Sequence, residues 1–348
     1  MSRVSRFLTS LLLGLPLLMT ACQEAGPPRP TSYPETPRVE HTDDYFGTTV
    51  ADPYRWMEDL ESPEVARWVE AQNAISEPFL SSIPEHQAIV DRLEEEPRVL
   101  LDPNTFSEDA TVALAGSVVS PGGRYLAYAT SDGGSDWRDW QVLDVATGQE
   151  MKDHLTFTKF TSVSWLPDER GFFYSRHPEG PDGQPDGQAK VDLYFHTLGT
   201  DQSRDERVYS VEDSESRNPY GTVTEDGRYL IIDIFEGYDA NAVHYLDLGV
   251  PNGGVVRILD EWDALYTFLG NRGPVFFFHT NKDAPKNRVV ALDLRRPGNL
   301  QEVIPEAEET LEGASLVGGH LVARYLKDAY SLIRVFDMEG TRVRDVEL

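Results

Sequence analysis

Gly133-Gly134-Ser135-Asp136-Trp137 comes closer than any other stretch of this 348-residue sequence to a nucleophile motif. In a Gly-x-Ser-x-Gly elbow the serine sits on a sharp strand-to-helix turn that exposes its hydroxyl. Here Trp137 stands where the last glycine would let strand and helix approach, and a strand-like run from Trp140 follows in place of a helix. Ser135 is therefore expected in a turn between two strands, and no catalytic residue is assigned. The eight histidines form no His-Glu-x-x-His or His-x-His pair. His177, His196, His244 and His279 fall in or beside strand-like runs and read as sheet residues. Asp182 and Asp186 lie among glycines but lack the spacing and closing glutamate of a calcium loop. Acid runs such as Asp43-Asp44 and Glu94-Glu95-Glu96 identify no acid–base pair in a chain with 59 acidic and 31 basic residues. There is no phosphate-cradling glycine loop of the Walker type. No metal ligand set and no cofactor are expected.

The formal charge of −28 argues against a nucleic-acid partner, because tracking phosphates needs clustered lysine and arginine. Solubility is the plainer reading of the acidity; an acidic funnel for cationic peptides is the other. Residues 1–21 read as a leader. Arg3 and Arg6 precede an apolar run from Phe7 to Leu18, too short to remain as a membrane span, and Met19-Thr20-Ala21-Cys22 follows. Small residues before the chain's single cysteine suggest cleavage and lipidation at Cys22, with an ordinary signal peptide and an incidental cysteine as the alternative. On the lipoprotein reading the chain is extracytoplasmic and meets the membrane through its lipid alone. Gln23 after the cysteine then points to the outer membrane, facing the periplasm.

The elements that must position any site come next. Residues 22–44 are rich in Pro, Gly and polar side chains and read as a tether. Residues 45–97 form a helical segment. Ser62-Pro63 starts one helix, with Val65, Trp68, Val69 and Ile75 roughly on one face. A second helix is expected from about Pro84 to Glu96 with Ile89, Val90 and Leu93 inward, stopped by Pro97. From residue 98 to 348 the pattern changes to a recurring unit, a polar turn and then an apolar-aromatic strand. Ser120-Pro-Gly-Gly-Arg-Tyr-Leu-Ala-Tyr128, Leu166-Pro-Asp-Glu-Arg-Gly-Phe-Phe-Tyr174 and Thr224-Glu-Asp-Gly-Arg-Tyr-Leu-Ile-Ile232 are its clearest copies. The anchors Tyr125, Phe172, Tyr229, Phe276 and Val322 are spaced by 47, 57, 47 and 46 residues, the long interval holding a loop insertion at Pro178 to Gly187. A period in the forties with paired strands marks a β-propeller, here with five recognisable blades; a β-sandwich is the competing reading.

Asp52-Pro-Tyr-Arg-Trp-Met-Glu-Asp-Leu-Glu-Ser-Pro-Glu-Val-Ala-Arg-Trp-Val-Glu-Ala-Gln-Asn73 strongly resembles the N-terminal signature of prolyl oligopeptidases. Leu101 to Leu114, Gly134-Ser-Asp-Trp137 and Leu198-Gly-Thr-Asp-Gln202 are similar to further family segments. The resemblance implies a serine peptidase that cuts short peptides after proline, in which a seven-bladed propeller caps an α/β-hydrolase domain carrying the triad. It also implies that the leading helices pack on that hydrolase domain. This sequence ends at Leu348, where the family continues, and most of a first blade is missing near Glu96-Pro97. The fold expected is thus mainly β: two α-helices, then an incomplete propeller, without the catalytic domain. By resemblance, Phe160 and Tyr238 are substrate-lining, with blade packing or an exposed turn as the alternative. Short proline-containing peptides are the expected ligand, and the missing hydrolase domain is the expected partner, in cis or in trans. The other functional reading is a stand-alone propeller lipoprotein that binds peptides or proteins.

Overall fold

The computed structural model describes residues 33–94 and 98–346, and the chain divides between Arg98 and Val99 into two compact units. Cys22 and the rest of the leader lie outside the described residues.

The first unit holds a hairpin, β1 (Thr42–Tyr45) with β2 (Thr48–Ala51), then α1 (Pro63–Ser81) and α2 (His86–Glu94). Ser62 caps α1 as its neighbours suggest: its hydroxyl accepts from the Glu64 and Val65 amides, and Pro63 follows at the first helical position. The signature between Asp52 and Asn73 acts locally. Arg55 pairs with Asp43, Asp52 and Glu58, which ties the hairpin to the start of the helical segment. Trp56 and Trp68 meet edge to face at 6.4 Å, and their indole N–H groups donate to Pro37 O and Thr36 Oγ1. Two corrections follow. Structure begins inside the segment read as a tether, because the two indoles need acceptors and residues 36 and 37 supply them. Ile89 and Leu93 are exposed rather than inward. A hairpin and two helices enclose too little volume to bury a second face, and Val65 is the one fully buried apolar side chain among the described residues of this unit.

The second unit is five four-stranded antiparallel sheets in sequence order. The first holds β3 (Val112–Val119), β4 (Tyr125–Asp132), β5 (Trp137–Asp144) and β6 (Gln149–Lys159). The second holds β7 (Ser164–Trp165), β8 (Gly171–Arg176), β9 (Asp192–Thr197) and β10 (Glu206–Tyr209). The third holds β11 (Asn218–Val223), β12 (Tyr229–Phe235), β13 (Asn241–Asp247) and β14 (Val256–Leu259). The fourth holds β15 (Tyr266–Arg272), β16 (Val275–Thr280), β17 (Arg288–Asp293) and β18 (Leu300–Ile304). The fifth holds β19 (Thr310–Val317), β20 (His320–Lys327), β21 (Tyr330–Phe336) and β22 (Arg342–Val346).

Each anchor of the sequence repeat falls in the second strand of its sheet, and two of the turns before it are built alike. Ser120 and Thr224 each donate their backbone N–H to the carbonyl five residues on and accept that residue's N–H on their hydroxyl. The first four of these second strands read largely as apolar runs because both their faces are buried, while the fifth, β20, alternates buried and exposed residues. Phe172 and Tyr174 pack with Tyr125, Trp140 and Leu155 of the first sheet, while Phe173 between them packs with Leu230 and Ile232 of the third. Phe276 and Phe278 face Tyr229 and Ile231, while Phe277 faces Leu321 and Tyr325. A fully buried phenylalanine contributes about 1.5–3 kcal/mol, so alternation along one strand binds each blade to both neighbours. The four buried clusters join the first sheet to the second, the second to the third, the third to the fourth and the fourth to the fifth. The outer face of the first sheet is covered in part by its own leading segment, where Phe106 stacks on Tyr128 at 6.1 Å.

Candidate functional site

Phe160 and Tyr238, nearly eighty residues apart in sequence, stand on one cleft of ≈ 730 Å³. The other walls are Thr161 and Ser162, the strand residues Asn218, Tyr220, Gly221 and Thr222, and Phe235 with Gly237. Phe160 follows β6 directly, takes a left-handed backbone (φ 54°) and is 61% exposed. A phenylalanine in that region is strained and uncommon, and strain of this kind collects at ligand sites. The surroundings hold it there. Thr158 Oγ1 donates to Arg138 O at 2.6 Å, Arg138 reaches Thr161 O, and Lys159 Nζ sits 5.0 Å above the Phe160 ring while pairing with Asp136. Trp137 completes the support. It lies under Lys159, meets His177 edge to face at 5.1 Å, and receives the backbone of Gly187, where a Cβ would come within 3.1 Å of the indole. The inserted loop thus ends against the residues that set Phe160.

Tyr238 lies in the turn between β12 and β13 and is 93% exposed. Its turn is anchored beside it: Ser216 and Arg217 donate to Glu236, and the Arg217 guanidinium lies 4.2 Å above the Trp262 ring. Tyr220 and Phe235 form the floor, their rings 6.2 Å apart. The cleft therefore presents four aromatic side chains, two of them largely exposed, on a rigid sheet. Such a surface suits the apolar stretches of an extended peptide.

Ser135 lies in the tight turn between β4 and β5, as its surroundings suggest. Its hydroxyl accepts the Trp137 amide and its carbonyl accepts the Ser131 hydroxyl, so it has neither base nor helix beside it. Asp182 and Asp186 accept backbone amides of Gln184, Gln188 and Ala189. No group of three or more His, Cys, Asp or Glu side chains able to hold a metal occurs among the described residues.

Sequence reasoning missed two buried polar features. His196, read as a sheet residue, is fully buried between two carboxylates, 2.8 Å from Asp153 and 2.7 Å from Asp205. Burial alone would push the imidazole down; its hydrogen bonds and charge attraction to both acids override this and raise it to about 9. Asp153 comes from β6 and His196 from β9, so the pair pins the first blade to the second. The Leu198 to Gln202 segment serves the same seam. Gly199 N–H donates to Asp153, and Gln202 bonds both Thr156 and Tyr174. The second feature is Asp233 on β12, where burial lifts the carboxyl to about 7 with no partner to offset it. For Asp233 the signal was a charged residue inside an apolar run; for His196 there was none, because Asp153 lies 43 residues away.

Five four-stranded antiparallel sheets packed in sequence order, with an aromatic cleft at the Phe160 and Tyr238 positions, define a propeller-type fold. Compared with known proteins, residues 34–97 and 93–348 match the prolyl oligopeptidase N-terminal beta-propeller domain. The chain belongs to the prolyl oligopeptidase family. It is 33% identical to the prolyl endopeptidase of Elizabethkingia miricola over 358 residues, covering 91% of this chain and 50% of that protein. With prolyl oligopeptidase A of Galerina marginata it shares 27% identity over 90% of this chain and 53% of the relative. Among solved structures it is similar to one from an analysis of two prolyl endopeptidases and the role of inter-domain dynamics in catalysis and specificity. The TM-score is 0.66 at 30% identity, over 92% of this chain and 52% of that one. Prolyl oligopeptidase B from Galerina marginata, bound to a 35mer hydrolysis and macrocyclization substrate, shares the fold at TM-score 0.64 over 90% of this chain and 53% of that one. The chain spans about half the length of these relatives. The family match falls into two pieces, residues 34–97 and 93–348, that overlap at residues 93–97.

Proposed function

We propose that this chain is the substrate-gating propeller region of a prolyl oligopeptidase-type serine peptidase that cleaves short peptides after proline. Its own part is to admit and orient the peptide at the Phe160–Tyr238 cleft. Attack on the peptide bond is left to a hydrolase domain, in cis or in trans. The supporting observation is that two aromatics placed by family resemblance meet in one cleft, each exposed enough to touch a ligand. Acyl transfer needs a nucleophile, a base and oxyanion donors held together. Ser135 has none of these around it, so these 348 residues alone are proposed to be inactive. Anchoring through a lipidated Cys22, facing the periplasm, completes the proposal.

The test is titration of the purified chain with a fluorescent proline-containing tetrapeptide, beside a hydrolysis assay on the same peptide. Saturable binding that weakens about tenfold in Phe160→Ala, with no cleavage, is the expected result. Cleavage by the chain alone, or binding indifferent to Phe160, would overturn it.

A further inference from the structure

We infer that the peptide lies in the cleft as an added β-strand, hydrogen-bonded to the backbone of Gly221 on the free edge of β11. The inference rests on the peptide-binding reading above and specifies how that ligand is held.

β11 is the end strand of its sheet and pairs on one side only, with β12. In an antiparallel ladder alternate residues turn their N–H and C=O away from the partner strand. Pro219 fixes which residues of β11 these are. It has no N–H, and its carbonyl accepts from Ser175 Oγ at 2.7 Å, so it stands opposite Ile234 in a non-hydrogen-bonded pair. Gly221 and Val223 share its parity. Val223 N–H accordingly turns away from β12 and donates to Ser164 Oγ at 2.8 Å. Two serines of the second blade thus occupy the edge on either side of Gly221. The Gly221 N–H and C=O between them have no partner among the described residues.

Both groups belong to the cleft. Its lining takes Tyr220 and Thr222 from one face of β11 and Gly221 from the other, so the cavity follows the edge of the strand. A glycine has only backbone to present there, and Gly221 is partly exposed. Room beside it comes from β7, the end strand of the neighbouring blade, which is only two residues long. Phe160 to Ser162 lead into β7 without joining a ladder. An extended peptide supplies what this edge lacks, a C=O to accept from Gly221 N–H and an N–H to donate to Gly221 O. The peptide residue that donates is not the proline, which has no N–H. Side chains of the added strand then alternate between the Phe160 side and the Tyr220–Phe235 side of the edge.

A Cβ at Gly221 would stand 3.0 Å from Leu193 Cδ1 and 3.1 Å from Leu230 Cδ1, so changing this residue would disturb packing as well as binding. The experiment therefore changes the peptide. The full chain is titrated calorimetrically with proline-containing pentapeptides, each N-methylated at one non-proline residue. Methylation at one position should weaken binding about fivefold to tenfold, the worth of one hydrogen bond, and elsewhere by about twofold or less. An ester at that same bond removes the N–H without added bulk and should weaken binding about as much. Saturating unmodified peptide should also slow hydrogen exchange at a single amide within residues 218–223. Methylation tolerated at every position, or harmful equally at all of them, would overturn the inference. So would a methyl effect that the ester does not reproduce, or unchanged exchange over β11. If no peptide binds at all, the peptide-binding reading itself falls and takes this inference with it, an outcome distinct from binding without a backbone contact.

Discussion

His196 Nε2 meets Asp153 Oδ1 at 2.8 Å across the seam between the first and second blades, with both side chains fully buried. The imidazole is raised to about 9 while the free residue titrates near 6.5, so the pair's stabilisation is complete below about pH 6.5 and is lost as pH rises through 9. Asp153→Asn should cost about 3 kcal/mol at pH 7, because it removes one partner of a buried charge. The variant should also flatten the fall in stability that is expected of the native chain between pH 7 and 9.5. Thermal melts across that range check both.

Asp233 gives the opposite expectation for a charge-removing change. Its carboxyl is held near 7 by burial, against 3.8 for a freely solvated aspartate, so stability falls between about pH 4 and pH 7, where the unfolded chain's carboxyl ionises and the folded chain's keeps its proton. Asp233→Asn should be neutral at pH 4 and stabilise by on the order of 2 kcal/mol at pH 8. Denaturant titrations at the two pH values decide it, and a loss of stability at pH 8 would mean that Asp233 has a partner in solution.

Phe160 separates binding from packing. Its backbone is left-handed and its ring is mostly exposed, so Phe160→Gly should leave stability unchanged or raise it by up to about 1 kcal/mol. Peptide affinity should fall about tenfold in the same variant. If the melting temperature drops instead and binding persists, the ring is a packing element.

Ser135 tests the catalytic side. Ser135→Ala removes one acceptor in a hairpin turn and should cost about 1 kcal/mol or less. Neither the native chain nor the variant should take up a serine-directed fluorophosphonate.

How much of this was legible in the sequence depends on whether a signal was local. The turn-strand repeat around Tyr125, Phe172 and Tyr229 is local, and it located the second strand of every blade. The Ser62-Pro63 helix start is local too. The inward faces expected for Ile89 and Leu93 failed because periodicity names an apolar stripe without saying that anything covers it. Phe160 and Tyr238 were named through family resemblance, and nothing in their spacing says that they share a cleft. His196 was invisible for another reason. Its partners Asp153 and Asp205 lie on other elements, and pairing 43 residues away leaves no trace in a local pattern. Asp233 was hidden inside Tyr229-Leu-Ile-Ile-Asp-Ile-Phe235, where a lone acid in a buried strand reads as a break in the pattern.

The central claim is that this propeller serves a working peptidase. The direct measurement is the size of the native product in its own cells, read on one gel with an antibody to the propeller and a serine-hydrolase activity probe. The account predicts a probe-labelled band: either the propeller band itself, well above the 39.1 kDa of this chain, or a separate hydrolase band that co-purifies with it. An antibody-positive band near 39 kDa, with no labelled species associated, would contradict it and leave a propeller that binds without cutting.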